Sequence, residues 1–415
     1  MTKSSVRKPK KRKSTFRKVS EWLHLWLGLF SGIVVFVVCF TAAIWVFRDE
    51  IAYFTMPFNR VEKQDLPLDR PSAYLAVAQE YLDSRPTVEK FEVAAITYRE
   101  PGESLLVEYA DATKHIPHGN IHLNPYSKQF IYDEYFEDSK TLQFIYFIRA
   151  GHRFFWLPPE IGSPFVGINC LIFLVVLITG IIWWYPKKWN NSTRKKSFSI
   201  KWSAKWKRLN IDLHNVLGFY TLIFAFILTY TGVYYSFDWF KAGYHTLLGE
   251  GKTVLTADKQ ISEESTNSDV NIHPWDAVWQ KVYQQEGKSE GHNKIGYPRG
   301  NRDMVYMLYN PVPGKFYGAY TRMFHAATLA ENPKRIPFGR EGNMEYAELN
   351  PSQKLIRLNF DLHLGTIGGL STKILACIVS LICASLPITG FIVWYNRKRK
   401  QDLISTNHLS ATTLP

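Results

Sequence analysis

Four stretches of the chain, Trp22–Phe47, Phe165–Tyr185, Val216–Phe237 and Ile374–Tyr395, are apolar without interruption by an acid, a lysine or an arginine. At the helical rise per residue each is long enough to cross a hydrocarbon core, where only a backbone that satisfies its own hydrogen bonds can stand. The chain is therefore read as an α-helical membrane protein, a bundle of four transmembrane helices with polar segments between them. The first stretch follows a basic tail, as a secretory signal does. It is too long for a signal core and has no small-residue cleavage site, so it is expected to remain as a helix.

Charge fixes the expected orientation. The formal net charge of +14 is concentrated in three blocks: 9 Lys/Arg in residues 1–18, 9 in residues 187–208 and 4 in residues 397–402. Four alternating helices put all three blocks on one side, which is the positive-inside pattern with both termini cytoplasmic. The basic residues then serve topology and anionic lipid heads of the bilayer, and no nucleic-acid partner is implied. The reading divides the chain into a basic tail (1–21), helices at 22–47, 161–186, 211–237 and 371–396, a basic loop (187–210), a C-terminal tail (397–415) and two outer segments. These outer segments, 48–160 and 238–370, each carry an amphipathic stretch, Ser72–Ser84 and Trp275–Gln285. Strand-like runs follow: Phe91–Tyr98, Leu105–Tyr109 and Gln129–Tyr132 in the first, Met304–Leu308 and Leu355–Asn359 in the second. Each outer segment is expected to form a small α+β domain. The cysteines, Cys39, Cys170, Cys377 and Cys383, all lie in the apolar helices, so no disulfide framework is implied.

The chain repeats itself. Leu23-His24 precedes Leu27-Gly28 and Thr41 follows 17 residues after the histidine; Leu213-His214 precedes Leu217-Gly218 and Thr231 follows at the same spacing. Helices 2 and 4 share an ending, Ile178-Thr179-Gly180 with Trp184-Tyr185 and Ile388-Thr389-Gly390 with Trp394-Tyr395. His152 lies 27 residues before Thr179, and His363 lies 26 before Thr389. The repeated unit is helix, outer domain, helix, an internal duplication.

The duplication gives each histidine a depth. His24 and His214 open outgoing helices at the cytoplasmic edge, while His152 and His363 precede the returning helices at the outer edge. A single histidine at a membrane edge is commonly an anchor, but two matched pairs, one per leaflet, suit the axial positions of two haem irons held between facing helices. Haem iron bound through His24, His214, His152 and His363 would have no open position, which suits electron transfer. Gly28 and Gly218, one turn after their histidines, leave space for a flat macrocycle. Trp45, Trp183, Trp184 and Trp394 read as an aromatic belt. His115, His118 and His122 form H-x-x-H-x-x-x-H, read as a surface loop because of Pro117 and Gly119, with metal binding a minor option. His325 with Arg322 and Arg335 could meet an acidic ligand, though a solvated loop is the plainer reading. No Walker or Rossmann glycine motif, H-E-x-x-H or nucleophile elbow is present.

With these residues in place, the chain resembles the PepSY-associated transmembrane helix family, which includes iron-regulated membrane proteins and ferric-siderophore reductases. The resemblance runs through Trp22–Gly28, Gly151–Trp156, Leu213–Gly218, Leu362–Gly365 with Gly368-Gly369, and both Thr-Gly endings. Asn124–Lys128 and Asn350–Lys354 resemble a turn of the family's outer domains more loosely. The resemblance implies two PepSY-like outer domains and an oxidoreductase in a bacterial cytoplasmic (inner) membrane. It further implies that electrons pass from quinol or a separate reductase through two b-type haems to a ferric siderophore or other ferric chelate, for iron acquisition. Its catalytic residues are unassigned. The competing expectation is a non-enzymatic, membrane-tethered PepSY protein that binds peptides or regulates an envelope protease.

Overall fold

The structure is a computed structural model and describes residues 14–87, 89–251, 272–339 and 342–412. Residues 1–13 of the basic tail and linker residues 252–271 lie outside it. The helices are α1 (Thr15–Trp45), α2 (Arg48–Thr55), α3 (Pro71–Ser84), α4 (Lys140–Phe154), α5 (Pro159–Trp184), α6 (Asn191–Phe198), α7 (Trp206–Ser236), α8 (Asp238–Leu247), α9 (Pro274–Trp279), α10 (Pro351–Leu364) and α11 (Leu370–Thr412). The strands are β1 (Phe91–Tyr98), β2 (Leu105–Asp111), β3 (Pro117–Leu123), β4 (Phe130–Tyr135), β5 (His292–Gly296), β6 (Met304–Asn310) and β7 (Tyr320–His325). Contacts divide the chain into a helical unit (residues 1–43, 149–237 and 376–415) and a sheet unit (residues 44–148 and 238–375).

Among the described residues four helices, α1, α5, α7 and α11, are long and apolar enough to cross a membrane, as expected from the four apolar stretches. They share one core. Val35 of α1, Phe173 and Leu177 of α5, Ala225 of α7, and Val379 and Cys383 of α11 are buried against one another. Many other apolar side chains face outward, including Phe30, Ile33, Ile178, Ile223 and Phe391. Such an outward apolar surface is stable in hydrocarbon and costly in water.

The sheet unit departs from the expectation of two separate domains. Both outer segments contribute to one seven-stranded antiparallel sheet of order β4-β3-β2-β1-β5-β6-β7, joined where β1 pairs with β5 from Ala95↔Gly296 to Tyr98↔Asn293. Each half alone would leave an unpaired edge at this seam, and pairing the two edges removes both. Helices α3 and α9 cover one face. Tyr74, Ala78 and Leu82 of α3 and Trp275, Val278 and Trp279 of α9 bury a common core with Val107, Ile121, Ile295, Val305 and Phe324 from strands of both halves. Asp276 of α9 accepts hydrogen bonds from the backbone N–H and hydroxyl of Ser72 in α3 (2.7 and 2.6 Å), tying the two helices at their first turns.

Three local expectations are corrected. Leu355–Asn359 is helical, part of α10, because Asn350 and Gln353 form a capping box with Pro351 at the first helical position. The Asn-Pro similarity therefore diverges in use: Asn124–Lys128 is a turn, in which Asn124 accepts from the N–H groups of Tyr126 and Ser127, whereas Asn350 starts a helix. Of the histidine-rich stretch, His118 and His122 lie in strand β3 rather than in a loop, while His115 stays in the turn before it. Pro117 occupies the strand's first residue, where it costs least, and Gly119 lets the Tyr109 side chain and the Glu134 backbone approach closely.

Candidate functional site

Helix α7 carries its histidine in an irregular place. Leu213–Leu217 forms a π-helical turn within α7, and His214 lies in it. Such a turn inserts a residue and re-aims a side chain, a feature common at functional sites. Across the bundle His24 of α1 approaches it: the two imidazole centres are 6.3 Å apart, with ring planes at 83°. The structure brings His24 and His214 side by side.

Each ring is fixed through Nδ1. His24 Nδ1 is 3.0 Å from the Val176 carbonyl of α5, and His214 Nδ1 is 2.9 Å from Thr389 Oγ1 of α11. A carbonyl can only accept, so Nδ1 of His24 donates. The hydroxyl of Thr389 lies within hydrogen-bond distance of the Ser385 and Leu386 carbonyls as well as of His214. His24 therefore holds its proton on Nδ1 and keeps the Nε2 lone pair available, the tautomer a metal requires, and a proton on His214 Nδ1 accepted by Thr389 Oγ1 would leave His214 in the same state.

The shared Thr-Gly endings, quoted above without a role, acquire one here. Thr179 Oγ1 donates to the same Val176 carbonyl (3.1 Å) that receives His24. The next residue then makes room for the ring: a β-carbon at Gly180 would lie 3.1 Å from His24 Cε1, and one at Gly390 would lie 3.2 Å from His214 Cε1. Gly28 has nothing within 4 Å of its β-carbon position, and Gly218 meets only Leu386 at 3.8 Å, so both open onto the space beside the histidines.

That space is a cavity of about 270 Å³, open at one side, walled mainly by apolar side chains such as Val35, Phe173, Leu177, Leu222 and Phe391. Trp183, Trp184 and Trp394 border it, and Trp183 meets the His24 ring edge-on at 5.4 Å, a more specific position than a general interfacial belt. The donor set can be tested against haem. Two metal–imidazole bonds of roughly 2 Å, each with roughly 1 Å more to the ring centre, require centres about 6 Å apart, close to the observed separation. The two rings held through Nδ1, the two open glycines and the apolar wall agree with a flat apolar ligand, so the residues fit the group.

His152 follows the same rule with a different partner. It lies near the end of α4, and its Nδ1 is 3.0 Å from the Val38 carbonyl of α1, which also accepts from Thr41 Oγ1 (3.1 Å). Thr231 Oγ1 makes the equivalent bond to Leu228 (2.9 Å) in α7. After His152 the chain turns through Phe155 and Trp156, both with positive φ (53° and 58°), before α5 begins. His363 sits in the last turn of α10, which ends at Gly365 in the left-handed conformation (φ 69°), ahead of α11. His152 belongs to the helical unit and His363 to the sheet unit.

The secondary candidates disperse. His122 is buried, not on the surface: its Nδ1 lies 2.9 Å from Ser104 Oγ and its Nε2 lies 3.5 Å from Glu134. Burial lowers its pKa below the ordinary 6.5, with the Glu134 carboxylate acting in the other direction. His115 pairs with Glu92 (2.7 Å), and His118 packs on Phe91 and Tyr135. Among the described residues no group of three or more His, Cys, Asp or Glu gathers to hold a metal ion. Arg322 is held by Glu286 and Glu331, and Arg335 by Glu348.

The family model for the PepSY-associated TM region matches residues 21–397. The chain belongs to this family. The match takes in all four membrane helices and both segments of the sheet unit. A search of the curated proteins finds no match to this PepSY-associated chain.

Proposed function

We propose that this PepSY-associated chain is a haem-b electron-transfer protein of the bacterial cytoplasmic membrane and acts as a ferric-siderophore or ferric-chelate reductase. The observation that carries the reading is the His24–His214 arrangement: two imidazoles each held through Nδ1, 6.3 Å apart on facing helices beside an apolar cavity. A haem iron held by two imidazoles exchanges one electron and has no open axial position. The chain's own residues would fix the ligand rings through the Val176 carbonyl and Thr389 hydroxyl and clear space beside them at Gly180 and Gly390. The aliphatic wall would exclude water.

A second site at His152 and His363 is proposed from the repeat alone, supported on one side by the Nδ1 contact of His152 with Val38. One electron delivered to Fe(III) in a chelate gives Fe(II), which hard oxygen donors hold less well, so iron is released. The electron would come from quinol or a separate reductase. The three basic blocks support cytoplasmic termini, which would put the sheet unit outside.

A regulatory, peptide-binding role is the second reading. It is favoured by β4, which ends the sheet with Phe130 and Tyr132 exposed and so presents an edge to which an extended peptide could add. An absorption spectrum of the purified protein, expressed with ample haem, separates the two. The reductase reading expects a Soret band that shifts on reduction, and a colourless protein would sink it.

A further inference from the structure

The cavity beside His24 and His214 is apolar along most of its wall, yet Arg397 stands at its rim. A guanidinium stays charged at any physiological pH, so its partners matter. Arg397 lies over the Trp183 ring, 5.4 Å from the ring centre, and Trp183 meets His24 edge-on. No carboxylate among the described residues pairs with it. Arg17, which also reaches Trp183, differs: it is held by Glu21 (3.5 Å) and donates to the Trp183 carbonyl. The repeat adds an asymmetry. Arg397 follows Thr389 by the same interval that separates Lys187 from Thr179, but Lys187 is not on the cavity wall.

We infer that Arg397 is the seat for a carboxylate of the ligand held between His24 and His214, an inference that rests on the haem reading above. Arginine offers a planar fork that receives a carboxylate through two parallel N–H···O bonds, and a b-type haem carries its two carboxylates on one edge. The rest of the wall, being apolar, suits the remainder of the macrocycle. Arg397 would thus fix which way round the ligand enters. Its positive charge also favours the reduced, more negative state of the iron. Arginine at the end of a membrane helix can alternatively serve an anionic lipid headgroup, so the source of the anion has to be distinguished.

The full-length protein is compared with Arg397→Gln and Arg397→Lys in nanodiscs of neutral phosphatidylcholine and of phosphatidylcholine with anionic phosphatidylglycerol. Haem content, transfer of haem to apomyoglobin and midpoint potential are read. Arg397→Gln is expected to keep its low-spin bands, lose haem roughly tenfold faster or more, and shift one midpoint negative, in both lipids. Arg397→Lys, which keeps the charge and loses the fork, should fall between. A wild-type loss rate and midpoint in Arg397→Gln would overturn the inference and leave the haem reading standing. An effect confined to anionic nanodiscs would also overturn it, in favour of lipid. Wild-type protein without haem would overturn both.

Discussion

Gly180 and Gly390 are positions at which a single methyl group matters. An added β-carbon would press on the histidine ring that the neighbouring threonine helps to hold. Gly390→Val is therefore expected to displace His214 and remove one haem per chain, read as loss of half the Soret absorbance. Gly28→Leu, where the β-carbon has open space, should leave the helices intact by circular dichroism and still lose that haem, because the side chain fills the cavity. His122 gives a pH prediction of its own. Its imidazole is held neutral by burial below the ordinary 6.5, so the stability it contributes is present above pH 6.5 and is lost as pH falls toward the lowered folded value. Thermal melts of wild type should weaken across that window, and His122→Asn should flatten the dependence. The sequence made His24 and His214 legible because matched spacing and membrane depth pair them. It did not make Gly180, Gly390 or Arg397 legible, because which face of helix 2 or 4 meets a histidine depends on how the helices rotate on packing.

At the level of elements, the β1–β5 seam determines how the sheet unit should unfold. Ile295 of β5 is fully buried in a core built from both halves, so Ile295→Ala should cost about 2–5 kcal/mol. Hydrogen exchange is expected to quicken in β2 and β3 as well as β6 and β7, since one sheet opens as one unit; a change confined to the second half would indicate two independent domains. β1 and α3 were legible from period-two and helical apolar spacing. β5 and β7 were not, because His292, Lys294, Thr321 and Arg322 break the apolar alternation that marks a strand. Leu355–Asn359 misled for the opposite reason: its local alternation suits a strand, while the cap at Asn350, five residues earlier, commits the segment to a helix.

Across the whole molecule, acid should act on the sheet unit through its paired carboxylates. Burial works against ionisation of Glu103, but His292 at 2.9 Å and Arg99 at 2.5 Å outweigh it and hold the carboxyl below its usual range. Lys288 does the same for Glu345. These pairs contribute fully above the ordinary carboxylate pKa near 4.5, and the contribution is lost as pH falls through the lowered folded values. A fall in the denaturation midpoint of the sheet unit below about pH 4.5, larger in wild type than in Glu103→Gln, checks this. The duplicated plan of helices was readable from the repeat, whereas the joining of both outer segments in one sheet depends on strand pairing over some 200 residues, which no local pattern records. The central claim is that His24 and His214 are two ligands of one site. The most direct test is haem stoichiometry in His24→Ala, His214→Ala and the double variant of the purified protein. The account predicts that each single variant loses the same one haem and the double variant loses no more. Additive losses, or unchanged content in either single variant, would contradict it.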